Sequence, residues 1–279
     1  MVKGEKELYC LNKVKSFISL EDDALINNSF GLLENERKEI IEIINEAKPN
    51  PSSSEFPDFI FNDGFIEHFQ VTSSKVTKKG STHTKKESEF NRKVENETCE
   101  LMEEWDKNPS YDEVRSKTWE LKNPQHSYEF LVESFKNNWQ NHINSLQKYI
   151  NKNNKHVSTG IFMIEYPEFA LSMYEDIYKD WIDGMSFGDM RNPEKFKEYR
   201  LSRDKQLLEY IFEFKKLIKY VIFVNINRCE IIETDKIPYL LNLIPWDYRI
   251  NSMVVINNHK LSNISVPSKN IGGSSKWVD

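Results

Sequence analysis

The sequence predicts an α/β (α+β) fold with a mixed central sheet flanked by helices. Segments with apolar residues at three- and four-residue steps alternate along the chain with short apolar runs of strand length. Residues typical of a tight turn join one pair of those runs. The 17 Phe, 12 Tyr and 6 Trp supply the apolar area of a large core. A chain of 279 residues with these features is expected to be globular.

The first predicted helix covers residues 32–48, where Ile40, Ile44 and Ala47 follow one another at helical steps with charged residues between them. This single apolar stripe indicates that one face of the helix packs on the core. The helix is expected to end in residues 49–55, PNPSSSE, because proline removes a backbone donor and serine favours turns.

A β-hairpin is predicted directly after this helix. Its arms are the apolar runs FPDFIF and FIEHFQVT, and Asn62-Asp63-Gly64 lies between them. An Asp-Gly pair between apolar runs permits the positive backbone dihedral angles of a tight hairpin turn. The two arms are therefore expected to pair as antiparallel neighbours.

The remaining elements are predicted in the same way, helices from apolar residues at three- and four-residue steps and strands from short apolar runs. Helices are predicted at 87–106, 126–151, 202–217 and 237–244, and strands at 158–166, 218–227, 229–235 and 252–258. Residues 169–200 predict only short helices and loops. We expect one domain of residues 1–259 with a helical insertion at about 87–151, followed by a loosely ordered tail over 260–279.

Charge limits the classes of partner. A formal net charge of -6 argues against a general coat for nucleic acid, since phosphate affinity comes from clustered lysine and arginine. A local basic segment exists at residues 72–86, which holds five lysines and no acid. By itself this segment is typical of a solvated loop.

The cysteines and the hydropathy pattern predict a cytoplasmic protein. Cys10, Cys99 and Cys229 form neither a close pair nor an even framework, so free thiols are expected and a zinc knuckle is not. The six histidines show no metal-ligand spacing and are predicted to be surface or satisfied side chains. No stretch reaches the roughly 18 apolar residues of a membrane span, and the start has no apolar region of a signal peptide.

The hairpin carries residues that suit metal-assisted phosphodiester hydrolysis. That chemistry needs carboxylates a few ångströms apart on a metal ion, with a cation, usually lysine, near the developing charge. Two adjacent strands supply this arrangement because each can direct one carboxylate at the same ion. Asp58 in the first arm and Glu67 in the second are the candidate carboxylates.

In this hairpin the chain resembles the PD-(D/E)xK superfamily of restriction-endonuclease-like nucleases. The resemblance rests on Pro57-Asp58 opening one strand, the apolar run FIF, a turn, and a second strand with acid and amide groups, IEHFQVTSSK. A helix before the hairpin and a helix followed by a strand at 126–166 agree with that fold. The resemblance implies a restriction-endonuclease-like core for the domain, Asp58 as a metal ligand, Mg²⁺ or Mn²⁺ as cofactor, and DNA or RNA as substrate.

Two registers of the motif's second half are open. In the first, Glu67-His68-Phe69 stands in the (D/E)xK position, which keeps the acid and puts phenylalanine in the lysine's place. In the second, Gln70-Val71-Thr72 stands there, with glutamine for the acid and threonine for the lysine. Since side chains alternate along a strand, Glu67 is expected on the core face and Gln70 on a helix-free or solvent side.

The sequence therefore predicts a metal-dependent nuclease, assigned to a defence or DNA-processing system by analogy of fold alone. Asp58 and Glu67 would bind the metal ion, Gln70 would orient water or substrate, and Lys75 would meet phosphate. Two other functions stay open: an inactive nuclease fold that binds nucleic acid or protein, and an interaction protein that binds a partner or a second copy through its aromatic side chains. The missing motif lysine favours the first of these, and the negative net charge favours the second.

Overall fold

The computed structural model describes residues 4–19, 29–30, 32–52, 55–62, 64–77, 80–107, 114–153, 159–175, 197–243, 248–252 and 256–264. The helices there are α1 (Glu5–Ser19), α2 (Glu34–Glu46), α3 (Thr82–Lys107), α4 (Tyr128–Asn153), α5 (Lys205–Phe212) and α6 (Ile237–Leu243). The strands are β1 (Ser29–Phe30), β2 (Lys48–Pro49), β3 (Phe59–Phe61), β4 (Gly64–Gln70), β5 (Val76–Thr77), β6 (Gly80–Ser81), β7 (Val114–Lys122), β8 (Thr159–Glu165), β9 (Leu171–Glu175), β10 (Lys197–Glu198), β11 (Tyr220–Val224), β12 (Cys229–Glu233), β13 (Tyr248–Ser252) and β14 (Ile256–Ile264). None of the helices in these ranges combines the length and apolar character that a bilayer span requires.

A mixed sheet organises the fold. In the described part of the chain it has seven strands in the order β1-β12-β11-β8-β4-β3-β2. Strands β4, β8 and β11 run parallel to one another, whereas β3 is antiparallel to both of its neighbours and β12 is antiparallel to β11. The predicted mixed central sheet flanked by helices is confirmed.

The two faces of the sheet bury separate apolar clusters. Phe65, Phe69 and Val71 of the β4 segment pack into one cluster with the apolar sides of α4 and α5. Ile66 packs into the other, with residues of α1 and α2. Strands β8 and β11 are buried almost throughout, which explains why the sequence shows them as continuous apolar runs rather than alternating ones.

The predicted hairpin is present as β3 and β4, with Phe59 opposite Ile66 and Phe61 opposite Gly64. Asn62 in the turn has a positive φ of 23°, and Asp63 lies outside the described residues. A Cβ atom on Gly64 would lie 2.3 Å from the Phe61 ring and 2.6 Å from the carbonyl oxygen of Thr159. Glycine is required there because the hairpin passes too close to β8 for any side chain.

The chain divides into two compact units, residues 1–76 with 126–253 and residues 77–125 with 254–279. The first, called the core unit below, holds the seven-stranded sheet. The second contains α3 and a two-stranded antiparallel sheet of β7 and β14. The predicted insertion at about 87–151 thus includes a strand, and its last helix, α4, belongs to the core unit.

Several other segments differ from the sequence prediction. Helix α1 was not predicted, although Cys10, Leu11 and Val14 are buried at helical spacing. Strand β7 was missed because its sequence, VRSKTWELK, is mostly polar, and of its described side chains only Trp119 is fully buried. Residues 171–175 and 197–198 are strands, and 260–264, predicted as the start of a loose tail, pair with β7.

The buried Glu230 generates a prediction about stability and pH. Burial raises the pKa of this β12 carboxyl from 4.5 to about 7, although the Ser202 hydroxyl donates to it at 2.8 Å. An acid whose pKa rises on folding holds its proton more tightly in the folded state. Its stabilising contribution is therefore full below pH 4.5 and is lost as pH rises through about 7.

The substitution Glu230→Gln should remove much of this loss of stability at higher pH. The glutamine oxygen still accepts a hydrogen bond from Ser202, and the side chain does not ionise. The measurement is the free energy of unfolding in urea at several pH values from about 5 to 8. As pH rises, the variant should become more stable relative to the wild type. Glu209→Gln, at an exposed position of α5, is the matched control. Equal pH slopes for the wild type and Glu230→Gln would contradict this account.

Candidate functional site

The two predicted metal ligands of the hairpin form reciprocal hydrogen bonds with each other's strands. The amide N–H of Asp58 donates to Oε2 of Glu67 at 3.0 Å, and the amide N–H of His68 donates to Oδ2 of Asp58 at 2.8 Å. These two hydrogen bonds extend the pairing of β3 with β4 to Asp58, the residue before β3. Burial and the neighbouring Glu67 charge raise the pKa of Asp58 to about 6.

Glu67 lies on the core face, as strand alternation predicts, and is 6% exposed. Its Oε1 atom lies 2.7 Å from Nδ1 of His142 on α4. The His142 ring also stacks on Phe69, with 4.7 Å between ring centroids. Burial of this carboxylate is therefore balanced by an imidazole and a backbone amide, which explains it without a metal ion.

A second group of polar side chains lies on the opposite face of β4. Nε2 of His68 is 3.3 Å from Oε2 of Glu165, at the end of β8, and Nε2 of Gln70 donates to the same oxygen at 2.7 Å. The thiol of Cys10 on α1 completes a group whose three donor atoms all lie within 4.8 Å of one another. We call Cys10, His68 and Glu165 the strand-end cluster.

The strand-end cluster can hold a metal ion, since it offers one sulfur, one nitrogen and one oxygen ligand at coordinating separations. Its three members are buried, whereas Gln70 beside them is exposed to solvent. Gln70 was predicted to lie on a helix-free or solvent side of the hairpin. Gln70 is exposed, but this face of β4 is not helix-free, because α1 packs over it and brings Cys10 to His68.

The charges around the cluster are partly balanced by Lys13, one turn after Cys10 on α1. Lys13 is half-buried, and its Nζ donates to the carbonyl oxygen of Asn225 at 2.8 Å. Burial raises the pKa of Glu165, but hydrogen bonds from His68 and Gln70 and the charges of His68 and Lys13 outweigh it, so the pKa is lowered overall. Burial raises the pKa of the Cys10 thiol well above its ordinary value.

A separate polar network joins the loops that follow β4 and β8. Ser73 Oγ donates to Oε2 of Glu168 at 2.7 Å and lies 2.9 Å from both His126 Nδ1 and the Tyr166 hydroxyl. The amide of Ser73 and the hydroxyl of Thr72 also donate to Glu168. Because Ser73 is 0% exposed and Glu168 binds it directly, we interpret this group as a clamp between two loops and not as a nucleophile with its base.

The structure separates the four predicted site residues. Asp58 and Glu67 are adjacent, but Glu67 faces α4 and belongs to neither the strand-end cluster nor its face. Gln70 contacts the cluster through Glu165. Lys75 is exposed, and of the contacts that the described residues make, none joins Lys75 to Asp58, Glu67 or the cluster.

Four residues of the site escaped the sequence analysis. Cys10 and Lys13 belong to the helix that was not predicted, Glu165 ends the apolar run of β8, and His68 was interpreted as a surface or satisfied histidine. A charged residue at the carboxyl end of a buried parallel strand is a signal that could have identified Glu165. Comparison with known proteins does not add to these residues: no protein-family model, curated protein or solved structure matches the chain.

Loss of the His142 imidazole should destabilise the protein. In His142→Phe the ring can still stack on Phe69, but Glu67 loses the partner of its Oε1 atom while it stays buried. An unsatisfied buried acceptor costs about 1–3 kcal/mol, so the free energy of unfolding in urea should fall by that amount. Gln140→Ala, an exposed change on the same helix, should stay within about 0.5 kcal/mol of the wild type; a similar small effect for His142→Phe would contradict the partner role.

Removal of the Ser73 hydroxyl should open the loop clamp. Ser73→Ala leaves Glu168, His126 and Tyr166 without the oxygen atom that they share, so a loss of about 1–3 kcal/mol is expected in the free energy of unfolding. The control is Ser52→Ala, which removes an exposed hydroxyl. If both variants unfold at the wild-type urea concentration, the network does not stabilise the two loops.

Proposed function

We propose that the protein is a metal-dependent nuclease that hydrolyses phosphodiester bonds in DNA or RNA, with its metal ion at the strand-end cluster. The observation that carries this proposal is the position of the cluster. It lies at the carboxyl ends of the adjacent parallel strands β4 and β8, beside the exposed Gln70. In open α/β sheets, ligands bind in the crevice outside the carboxyl ends of the strands.

The order of the elements supports the proposal. Within the sheet, five neighbouring strands follow the same order as along the chain: β2, β3, β4, β8 and β11. The hairpin comes first, and the parallel strands follow it. Pro57-Asp58 opens β3, and α4 precedes β8. This succession agrees with the PD-(D/E)xK resemblance of the sequence, although fold alone does not determine function.

The contacts favour the second of the two registers, in which Gln70 stands in the position of the motif's acid. Gln70 contacts Glu165, whereas both oxygens of Glu67 are engaged by the Asp58 amide and His142. Glu67 is therefore a positioning residue in this proposal. Asp58 accepts the backbone amide N–H of His68, which belongs to the cluster.

Each remaining residue has a role in the proposed chemistry. A bound divalent ion would polarise the phosphate and make water a better nucleophile. The Glu165 carboxylate is a ligand that Mg²⁺, Mn²⁺ and Zn²⁺ all accept. Gln70, at the solvent edge, would orient the water, and Lys13 would replace Lys75 as the cation that offsets developing negative charge.

An inactive nuclease fold that binds nucleic acid is the second candidate, and one observation favours it. Asp58 and Glu67 each accept a backbone amide N–H. The carboxylates of the hairpin are thus satisfied without a metal ion, as expected of a fold that has lost its chemistry.

The test is cleavage of end-labelled single- and double-stranded DNA and RNA by the purified chain with Mg²⁺, Mn²⁺, Zn²⁺ or EDTA. We expect metal-dependent cleavage of at least one substrate. Glu165→Gln and Lys13→Met should each lower its rate by about 100-fold or more, because the first weakens binding of the metal ion and the second removes the cation that offsets negative charge in the transition state.

The control for this assay is Glu129→Gln, which neutralises an exposed acid on α4 and should cleave at the wild-type rate. Cleavage that survives Glu165→Gln would overturn the site. Absence of cleavage with every ion and substrate would overturn the nuclease, and salt-sensitive binding without cleavage would support the second candidate.

A further inference from the structure

We infer that the strand-end cluster is a site for a borderline transition-metal ion of the Zn²⁺ class, bound by the Cys10 thiolate, the His68 imidazole and the Glu165 carboxylate. This inference rests on the proposed function for its place in the molecule and deepens it by naming the class of metal. The binding itself does not require that the protein cleave nucleic acid.

The donor set points to this class of ion. Mg²⁺ takes oxygen ligands almost exclusively, whereas thiolate and imidazole suit Zn²⁺ and related ions. Cys10 Sγ, His68 Nε2 and Glu165 Oε2 come from α1, β4 and β8, three elements far apart in the chain. Packing of these elements brings one sulfur, one nitrogen and one oxygen within 4.8 Å of one another.

Burial and charge favour the same assignment. Cys10 is 0% exposed, and His68 and Glu165 are each 8% exposed, so a net charge left in the cluster would be costly. One thiolate and one carboxylate cancel the two positive charges of a divalent ion, and neutral imidazole adds none. On binding, the S–H bond of Cys10 breaks, a sulfur–metal bond forms and the proton passes to solvent.

The surroundings of the cluster resemble the support that metal ligands need. Gln70 Nε2 donates to Glu165 at 2.7 Å and orients this carboxylate. The Asp58 carboxylate accepts the amide of His68 and fixes the strand at that residue. The cluster offers three protein ligands, which is the number that catalytic zinc sites use, whereas structural sites use four.

The alternative is that Cys10 is a small apolar side chain in the core and that His68 and Glu165 form an ordinary ion pair. Cobalt distinguishes the two, because a thiolate bound to Co²⁺ gives a charge-transfer band in the near ultraviolet that imidazole and carboxylate ligands do not. The chain has three cysteines. In the double variant Cys99→Ser with Cys229→Ser, Cys10 is the only thiol, so the source of a band is certain.

We expect one equivalent of Co²⁺ to produce this band in the double variant, with the folded state checked by circular dichroism. Zn²⁺ should abolish the band by displacement, and a 100-fold excess of Mg²⁺ over Co²⁺ should leave it unchanged. Adding His68→Asn should weaken Co²⁺ binding by about 10-fold or more. Glu55→Gln, at an exposed acid of the core unit, is the matched control and should leave Co²⁺ affinity unchanged.

The inference is overturned if the folded double variant gives no thiolate band, if Mg²⁺ displaces Co²⁺, or if His68→Asn binds Co²⁺ as the control does. If the double variant is not folded, the band is measured with Cys99→Ser alone, in which Cys10 and Cys229 are both buried; its absence there overturns the inference equally. A band without nucleic-acid cleavage would support this metal site and overturn the nuclease. Cleavage with Mg²⁺ and no thiolate band would support the nuclease and overturn this metal site.

Discussion

The parallel pairing of β4 with β8 is the constraint on which the rest of the site depends. Its register sets Gln70 beside Glu165 and His68 beside Met163. Since neighbouring residues of paired strands point to the same face, His68, Gln70 and Glu165 must share one face while Glu67 turns to the other. A shift by one residue would exchange the two sets and bury the wrong side chains.

The same pairing explains why two polar groups form at one edge of the sheet. Strands that run parallel end together, so the loops after β4 and β8 leave side by side. Thr72 and Ser73 in one loop then meet Glu168 in the other. The strand-end cluster offers atoms that could hold a metal ion, and the second group joins the two loops by hydrogen bonds.

Helix α1 decides the chemistry of the edge. Together with α2, it covers the face of β4 to which Ile66 and His68 belong. Packing of α1 places a thiol and an ammonium group, Cys10 and Lys13, near Glu165. In the proposed nuclease, Lys13 of this helix takes the role that was predicted for Lys75.

The sequence by itself determined the elements that depend on neighbours along the chain. The hairpin followed from its turn, helix α4 from the periodicity of Phe135, Trp139 and Ile143, and the core side of Glu67 from strand alternation with Phe69. Local periodicity also contained the pattern of α1, whose buried Cys10, Leu11 and Val14 were not recognised.

Tertiary structure alone decided which polar residues meet. Cys10, His68 and Glu165 lie far apart in the sequence. Nothing in their local spacing indicates a ligand set, and only sheet register and the packing of α1 join them. For the same reason the burial of Glu67 was predictable from its strand, but its partner His142 was not, since helix α4 meets β4 only in the folded chain.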